Sequence, residues 1–186
     1  MMMEMTTGWS LRARLFHWLS ALAVAVQWVI GFILLGGMAM AGSLWLVVHL
    51  SLGLTVLGLT VVRLGSRFFD TAPNRPGPRP LAAMAFLGHA GLYILLLLVP
   101  LSGWLGYRPA PFMPPPLLFG YLPMPVLSNL VSVSPRTMLQ IHSLSSWALL
   151  ILVGLHILAA FIHYCILGDG DFKGMVSGRR KAPAVK

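Results

Sequence analysis

Residues 137–167 read TMLQIHSLSSWALLILVGLHILAAFIHYCIL, an apolar stretch that carries His142, His156 and His163, spaced by 14 and then 7 positions. At the helical increment of about 100° per residue, 14 positions return to within about 40° of the start and 7 to within about 20°. All three imidazoles therefore share one stripe of one α-helix. His142 and His156 stand about 21 Å apart along its axis, most of the way across a bilayer core of about 30 Å. A helix otherwise made of Leu, Ile, Val and Ala has no packing reason to carry three histidines on one face. The rest of the chain is read by asking what can be placed opposite them.

The chain has 186 residues, 58% hydrophobic and 9% charged, where a soluble domain carries about 25% charged residues. The fold class is an all-α integral membrane protein, and the length suits one bundle of four transmembrane helices. The net charge of +9 does not point to nucleic acid, because the Lys and Arg are spread over loops and tails with no basic patch interleaved with aromatics. The single cysteine, Cys165, excludes a disulfide framework, a CxxC metal site and a covalent CxxCH haem attachment, so any haem is held non-covalently. Cys165 lies in apolar sequence and reads as packing.

Helices are predicted at about 15–37, 44–64, 81–107 and 137–167, as one domain over 1–186. A cleaved signal peptide competes for the first, since Arg12 and Arg14 precede it and Ala39-Met40-Ala41 resembles a cleavage site. Its run of about 23 residues is long for an h-region of about 7–15 and right for a span, so a retained helix is the reading. Pro73, Pro76, Pro78 and Pro80 mark a polar loop. Pro100 is expected to kink the third helix or loosen its last turns. Residues 108–136 form a Pro-rich, apolar connection expected to cap the bundle at the membrane surface. The tail from Gly168 reads as polar and basic. With four spans, 11 of the 13 Lys and Arg collect on the side of the termini, leaving Arg108 and Arg136 on the other. By the positive-inside rule both termini are cytoplasmic.

This topology gives each histidine a depth. His49 and His142 match near the outer side, and His17 and His156 match near the inner side. Each pair draws one member from the fourth helix, as two bis-histidine haems stacked along the membrane normal would require. An interhelical hydrogen bond is the alternative for any single histidine, but ionisable groups inside membranes are functional by default. No carboxylate accompanies the histidines at helical depth, which disfavours metals other than haem iron.

The order and spacing of several short stretches then become informative. They are Arg14-Leu15-Phe16-His17-Trp18-Leu19, His49-Leu50-Ser51-Leu52-Gly53, Val62-Arg63-Leu64, Gly88-His89 with Tyr93, Pro100 and Gly103, and His142, Gly154-Leu155-His156 and His163 followed by Asp169 and Met175. Over about residues 14–175 the sequence resembles the bacterial cytochrome b561 family, four-helix di-haem membrane cytochromes related to the cytochrome b subunits of nickel-iron hydrogenases. The Pro-rich, apolar loop between helices three and four departs from the family pattern. The resemblance implies two haem b groups, one ligated by His17 with His156 and one by His49 with His142. It also implies a multi-pass protein of the bacterial inner membrane, surrounded by lipid.

Transmembrane electron transfer between an outer-side (periplasmic) donor and the quinone pool is the expected function. The resemblance implies that the donor is superoxide or a redox protein, and that ubiquinone is the acceptor if the chain is an enzymatic superoxide:ubiquinone oxidoreductase. The alternative is a membrane-anchor cytochrome b subunit of a larger dehydrogenase or hydrogenase complex. A transporter is disfavoured by the lack of intramembrane carboxylates. His89 and His163 read either as a quinone or proton site, or as hydrogen-bond partners near the inner haem. Arg14, Arg63 and Arg67 at the inner side, and Arg136 with Arg108 at the outer side, read either as propionate partners or as topology signals. Gln27 reads as an interhelical hydrogen bond, and Trp28 and Trp147 as deep aromatics placed to pack on a haem.

Overall fold

The computed structural model describes residues 9–34, 44–67, 79–109, 116–167 and 171–178. Four long helices dominate: α1 (Leu11–Val29), α2 (Leu44–Ser66), α3 (Arg79–Gly106) and α4 (Pro135–Ile162). A π-helical turn extends α1 over Ile30–Leu34 and another extends α4 over His163–Leu167. All four are long and apolar enough to cross a membrane. The Ala39-Met40-Ala41 motif and the basic residues from Arg179 onward lie outside the described residues.

Local capping sets where the helices begin. Ser10 caps α1, its Oγ accepting the amide of Ala13 at 3.1 Å, so the helix starts at Leu11 rather than near residue 15. Ser134 caps α4 in the same way, accepting from Thr137 N at 3.1 Å. Pro135 then occupies the first helical position, where its missing N–H costs nothing. Helix α3 runs through Pro100 without ending.

Packing follows the logic of a membrane interior. Alongside Ala23, Ile30, Val56 and Leu149, the buried helix residues include the hydroxyl side chains of Ser20, Ser51, Thr60, Ser102 and Ser145. Each donates to the carbonyl one turn earlier, so the polar groups are satisfied within their own helix. Large apolar side chains face outward instead, among them Leu22, Phe86 and Leu144, as expected where lipid is the solvent. The most extensive helix contact is α3 against α4. Gly106 makes it close, since a Cβ there would lie 3.0 Å from the backbone nitrogen of Leu139.

Two short elements close the ends. At the hairpin end, β1 (Leu117–Leu118) pairs antiparallel with β2 (Leu122–Pro123), Leu118 opposite Leu122. Its turn places Phe119 at φ 53° and Gly120 at φ 81°. Phe119 N donates to Ser51 Oγ of α2 at 2.9 Å, and Trp104 Nε1 of α3 donates to Pro125 O at 3.0 Å. The connection between α3 and α4 is thus tied down onto the bundle. At the terminal end, α5 (Asp171–Ser177) folds from the stretch read as a polar tail. Its C-terminus meets the start of α1. Arg14 Nε donates to Met175 O at 3.2 Å, Arg14 Nη2 donates to Val176 O, and Trp18 Nε1 donates to Met175 O at 3.2 Å. A cation on the exposed carbonyls of a helix C-terminus is favourable both as hydrogen bond and as charge against the dipole.

Candidate functional site

Two histidine pairs lie along the bundle. At the hairpin end, His49 of α2 and His142 of α4 have ring centroids 6.1 Å apart and planes at 82°. At the terminal end, His17 of α1 and His156 of α4 are 6.3 Å apart at 60°. All four are partly buried. With metal–imidazole nitrogen bonds of about 2 Å, an ion held axially between two imidazoles leaves their centroids about 6 Å apart. His89 of α3 is nearer to His156, at 5.3 Å and edge-on, a packing contact too short for such a bridge.

The surroundings of the hairpin-end pair are built around the rings. His142 Nδ1–H donates to the carbonyl of Val99 at 2.8 Å, across the α3–α4 interface. The proton is therefore on Nδ1, and Nε2 carries the free lone pair, the form that binds a metal. Gly103 makes room for this ring, since a Cβ there would lie 2.8 Å from His142 Nδ1. Gly31 does the same for His49, where a Cβ would sit 3.3 Å from Cε1. Gln27 Nε2 donates to the backbone carbonyl of His49 at 2.9 Å.

The terminal-end pair has more polar company. Arg63 donates from Nη2 to His17 Nδ1 at 3.0 Å, because a guanidinium can only donate. The Arg63 and Arg67 guanidinium carbons lie 5.6 and 5.4 Å from the ring centre of Tyr93, close enough for cation–π contact. His89 Nδ1–H donates to Ala85 O at 2.6 Å. His163 opens the π-helical turn that follows α4. Arg14 is engaged with the end of α5, as described above. Arg136 and Arg108 are exposed at the hairpin end. Trp28 and Trp147 meet edge-on at 5.3 Å, and Phe32 stacks on Trp28 and meets Trp147 edge-on, both at 4.4 Å.

Among the described residues no group of three or more His, Cys, Asp or Glu is placed to hold a metal ion. A two-histidine site becomes a six-coordinate one when four further donors come from a macrocycle. The donor set fits a haem in that respect. Both rings of the hairpin-end pair are seated against glycine, and His49 Nδ1 is buried without a partner.

The sequence model of the family described as prokaryotic cytochrome b561 matches residues 8–178. The chain belongs to this family. It is also similar to a Yersinia pestis protein described as probable superoxide oxidase CybB, at 29% identity over 170 residues that cover 88% of this chain and 93% of the relative. Membership makes the protein a membrane electron-transfer cytochrome and implies b-type haem.

Sequence reasoning did not find the contacts that orient the site. The Val99 carbonyl is a backbone group, invisible to a search for functional side chains. The docking of Arg14 and Trp18 on α5 needed the short helix itself, whose seven residues are too few for a periodic pattern.

Proposed function

We propose that this cytochrome binds two haem b groups, one between His17 and His156 and one between His49 and His142, and carries electrons across the membrane between an outer-side donor and the quinone pool. The ring separations of 6.3 and 6.1 Å carry the reading, since both match the spacing of about 6 Å that a bis-imidazole iron requires. Bound in these places, b haem supplies one-electron redox chemistry at two depths of the bundle. The protein's part is to hold His142 in the ligating tautomer through the Val99 carbonyl, to keep water from the pairs and to set the surrounding charge.

The excess of Lys and Arg at the terminal end supports a cytoplasmic location for both termini, in a bacterial inner membrane. Arg63 and Arg67 then stand where carboxylates of the inner group would be neutralised, and Arg136 serves the outer side. His89 and His163 belong to the quinone side, where reduction takes up protons as well as electrons. The name of the Yersinia pestis relative favours superoxide as the donor. Two superoxide anions each lose one electron to give dioxygen, and one ubiquinone takes both electrons and two protons to give ubiquinol.

A reduced-minus-oxidised spectrum with a haem determination on the purified full chain tests the reading. Two b haems per chain are expected, with His142→Ala and His156→Ala each removing a different one. Absence of haem, or retention of both in either variant, overturns it. Ubiquinone reduction by superoxide with the isolated chain supports the enzymatic form. Co-purification with a catalytic subunit in place of that turnover supports the anchor-subunit reading.

A further inference from the structure

Among the described residues, the buried side-chain polar atoms without a hydrogen-bond partner are Gln27 Oε1, His49 Nδ1 and Ser128 Oγ. Such atoms are costly in any interior and more so in one without water. The first two lie at a single junction of α1 and α2. Gln27 donates through Nε2 to the His49 carbonyl at 2.9 Å. It sits in the notch left by Gly53, where a Cβ would be 3.1 Å from that nitrogen. Gly31 is one helical turn from Gln27 on the same face of α1. It lies against the imidazole edge of His49, since its Cβ would be 3.3 Å from Cε1 and 3.8 Å from Nδ1. The unpartnered nitrogen of His49 therefore faces the α1 stripe that carries the unpartnered oxygen of Gln27.

We propose that Gln27 is the positioning residue of His49, its Oε1 accepting the Nδ1–H of that imidazole and so presenting Nε2 as the ligating nitrogen. This rests on the reading of His49 and His142 as an axial pair. A ligating histidine almost always donates its second ring N–H to an acceptor, which fixes the tautomer and raises the basicity of the ligand. His142 already has such an acceptor in Val99 O. For His49, Gln27 supplies it from the neighbouring helix, with the same amide anchoring the backbone of the residue it orients. Ser128 belongs to the connection after the hairpin and serves as the comparison.

Redox titration of the full chain tests this, with each haem resolved by comparison with His142→Ala and His156→Ala. Gln27→Leu removes the acceptor, makes His49 a weaker donor to ferric iron and should raise the midpoint potential of the hairpin-end haem. Gln27→Glu keeps the acceptor and adds charge, and should lower it. The terminal-end haem should stay where it is in both variants, and Ser128→Ala should move neither. A packing role for Gln27 would shift neither potential, or shift both variants in one direction, and either result overturns the proposal. Should Gln27→Leu fail to assemble, Gln27→Glu alone still decides, since an unchanged or raised hairpin-end potential is disqualifying. Loss of both haems from the unmodified chain would instead defeat the axial-pair reading beneath it.

Discussion

The carbonyl of Val99 holds the imidazole of His142 across the α3–α4 interface at 2.8 Å, one residue ahead of Pro100 inside a continuous helix. Gly103, one turn further along α3, is what lets the ring come this close, because a Cβ there would lie 2.8 Å from Nδ1 and 3.0 Å from Cε1. Gly103→Ala should push His142 off the carbonyl and destabilise the fold by about 1–3 kcal/mol, the usual range for overpacking. The expected outcome is loss of one of two b haems from the difference spectrum, the same one that His142→Ala removes. Gly58→Ala is the matched control. A Cβ at Gly58 meets nothing within 4 Å, and the variant should keep both haems.

His89 gives a sharper test of the terminal-end pair. Its ring is closer to His156 than that of His17 is, 5.3 against 6.3 Å, so proximity alone would choose His89 and the spacing of about 6 Å chooses His17. The shorter spacing leaves no room for an iron between these two rings. His89→Ala should therefore retain two haems per chain, whereas His17→Ala should retain one. A pyridine haemochrome assay distinguishes them, and one haem in His89→Ala would transfer the ligand role to that residue.

The histidine pattern shows why part of this was legible in the sequence and part was not. The stripe of His142, His156 and His163 follows from helical periodicity, which needs no tertiary information. Depth along the spans then groups His49 with His142 and His17 with His156. Depth cannot separate two histidines at one level on different helices, however, and His89 stands beside His156 together with His17. Only the ring separations divide them. The helix starts set by the Ser10 and Ser134 caps are not found from apolar content, which alone places α1 near residue 15 and α4 at residue 137. The carbonyl that holds His142 is a backbone group, and no residue type encodes it.

Arg14 was a candidate for a haem carboxylate from its place in the sequence. In the structure it clamps α5 through the carbonyls of Met175 and Val176, with Trp18 adding a third bond. Arg14→Ala should release α5 at a cost of about 1.5–3 kcal/mol, as for hydrogen bonds from a charged donor. Hydrogen exchange at the amides of 174–178 should then accelerate by roughly tenfold or more, while the haem content stays at two per chain. Loss of a haem band with α5 exchange unchanged would return Arg14 to the carboxylate role.

Ser51 joins the membrane interior to the hairpin. Its hydroxyl donates to Val47 O at 2.7 Å and accepts the amide of Phe119 at 2.9 Å. Phe119 needs that anchor because it holds φ 53°, a left-handed conformation that costs a residue with a side chain about 1–2 kcal/mol. Ser51→Ala removes the acceptor and should cost about 1 kcal/mol, felt at the hairpin rather than in the bundle. The Phe119 amide should lose its exchange protection, while the thermal transition of the helices moves by only a few degrees. Phe119→Gly should do the reverse, keeping the bond and relieving the strained φ, so that exchange at the turn slows or stays level. If Ser51→Ala leaves the Phe119 amide as protected as before, the pairing of the two strands holds the turn without help from α2.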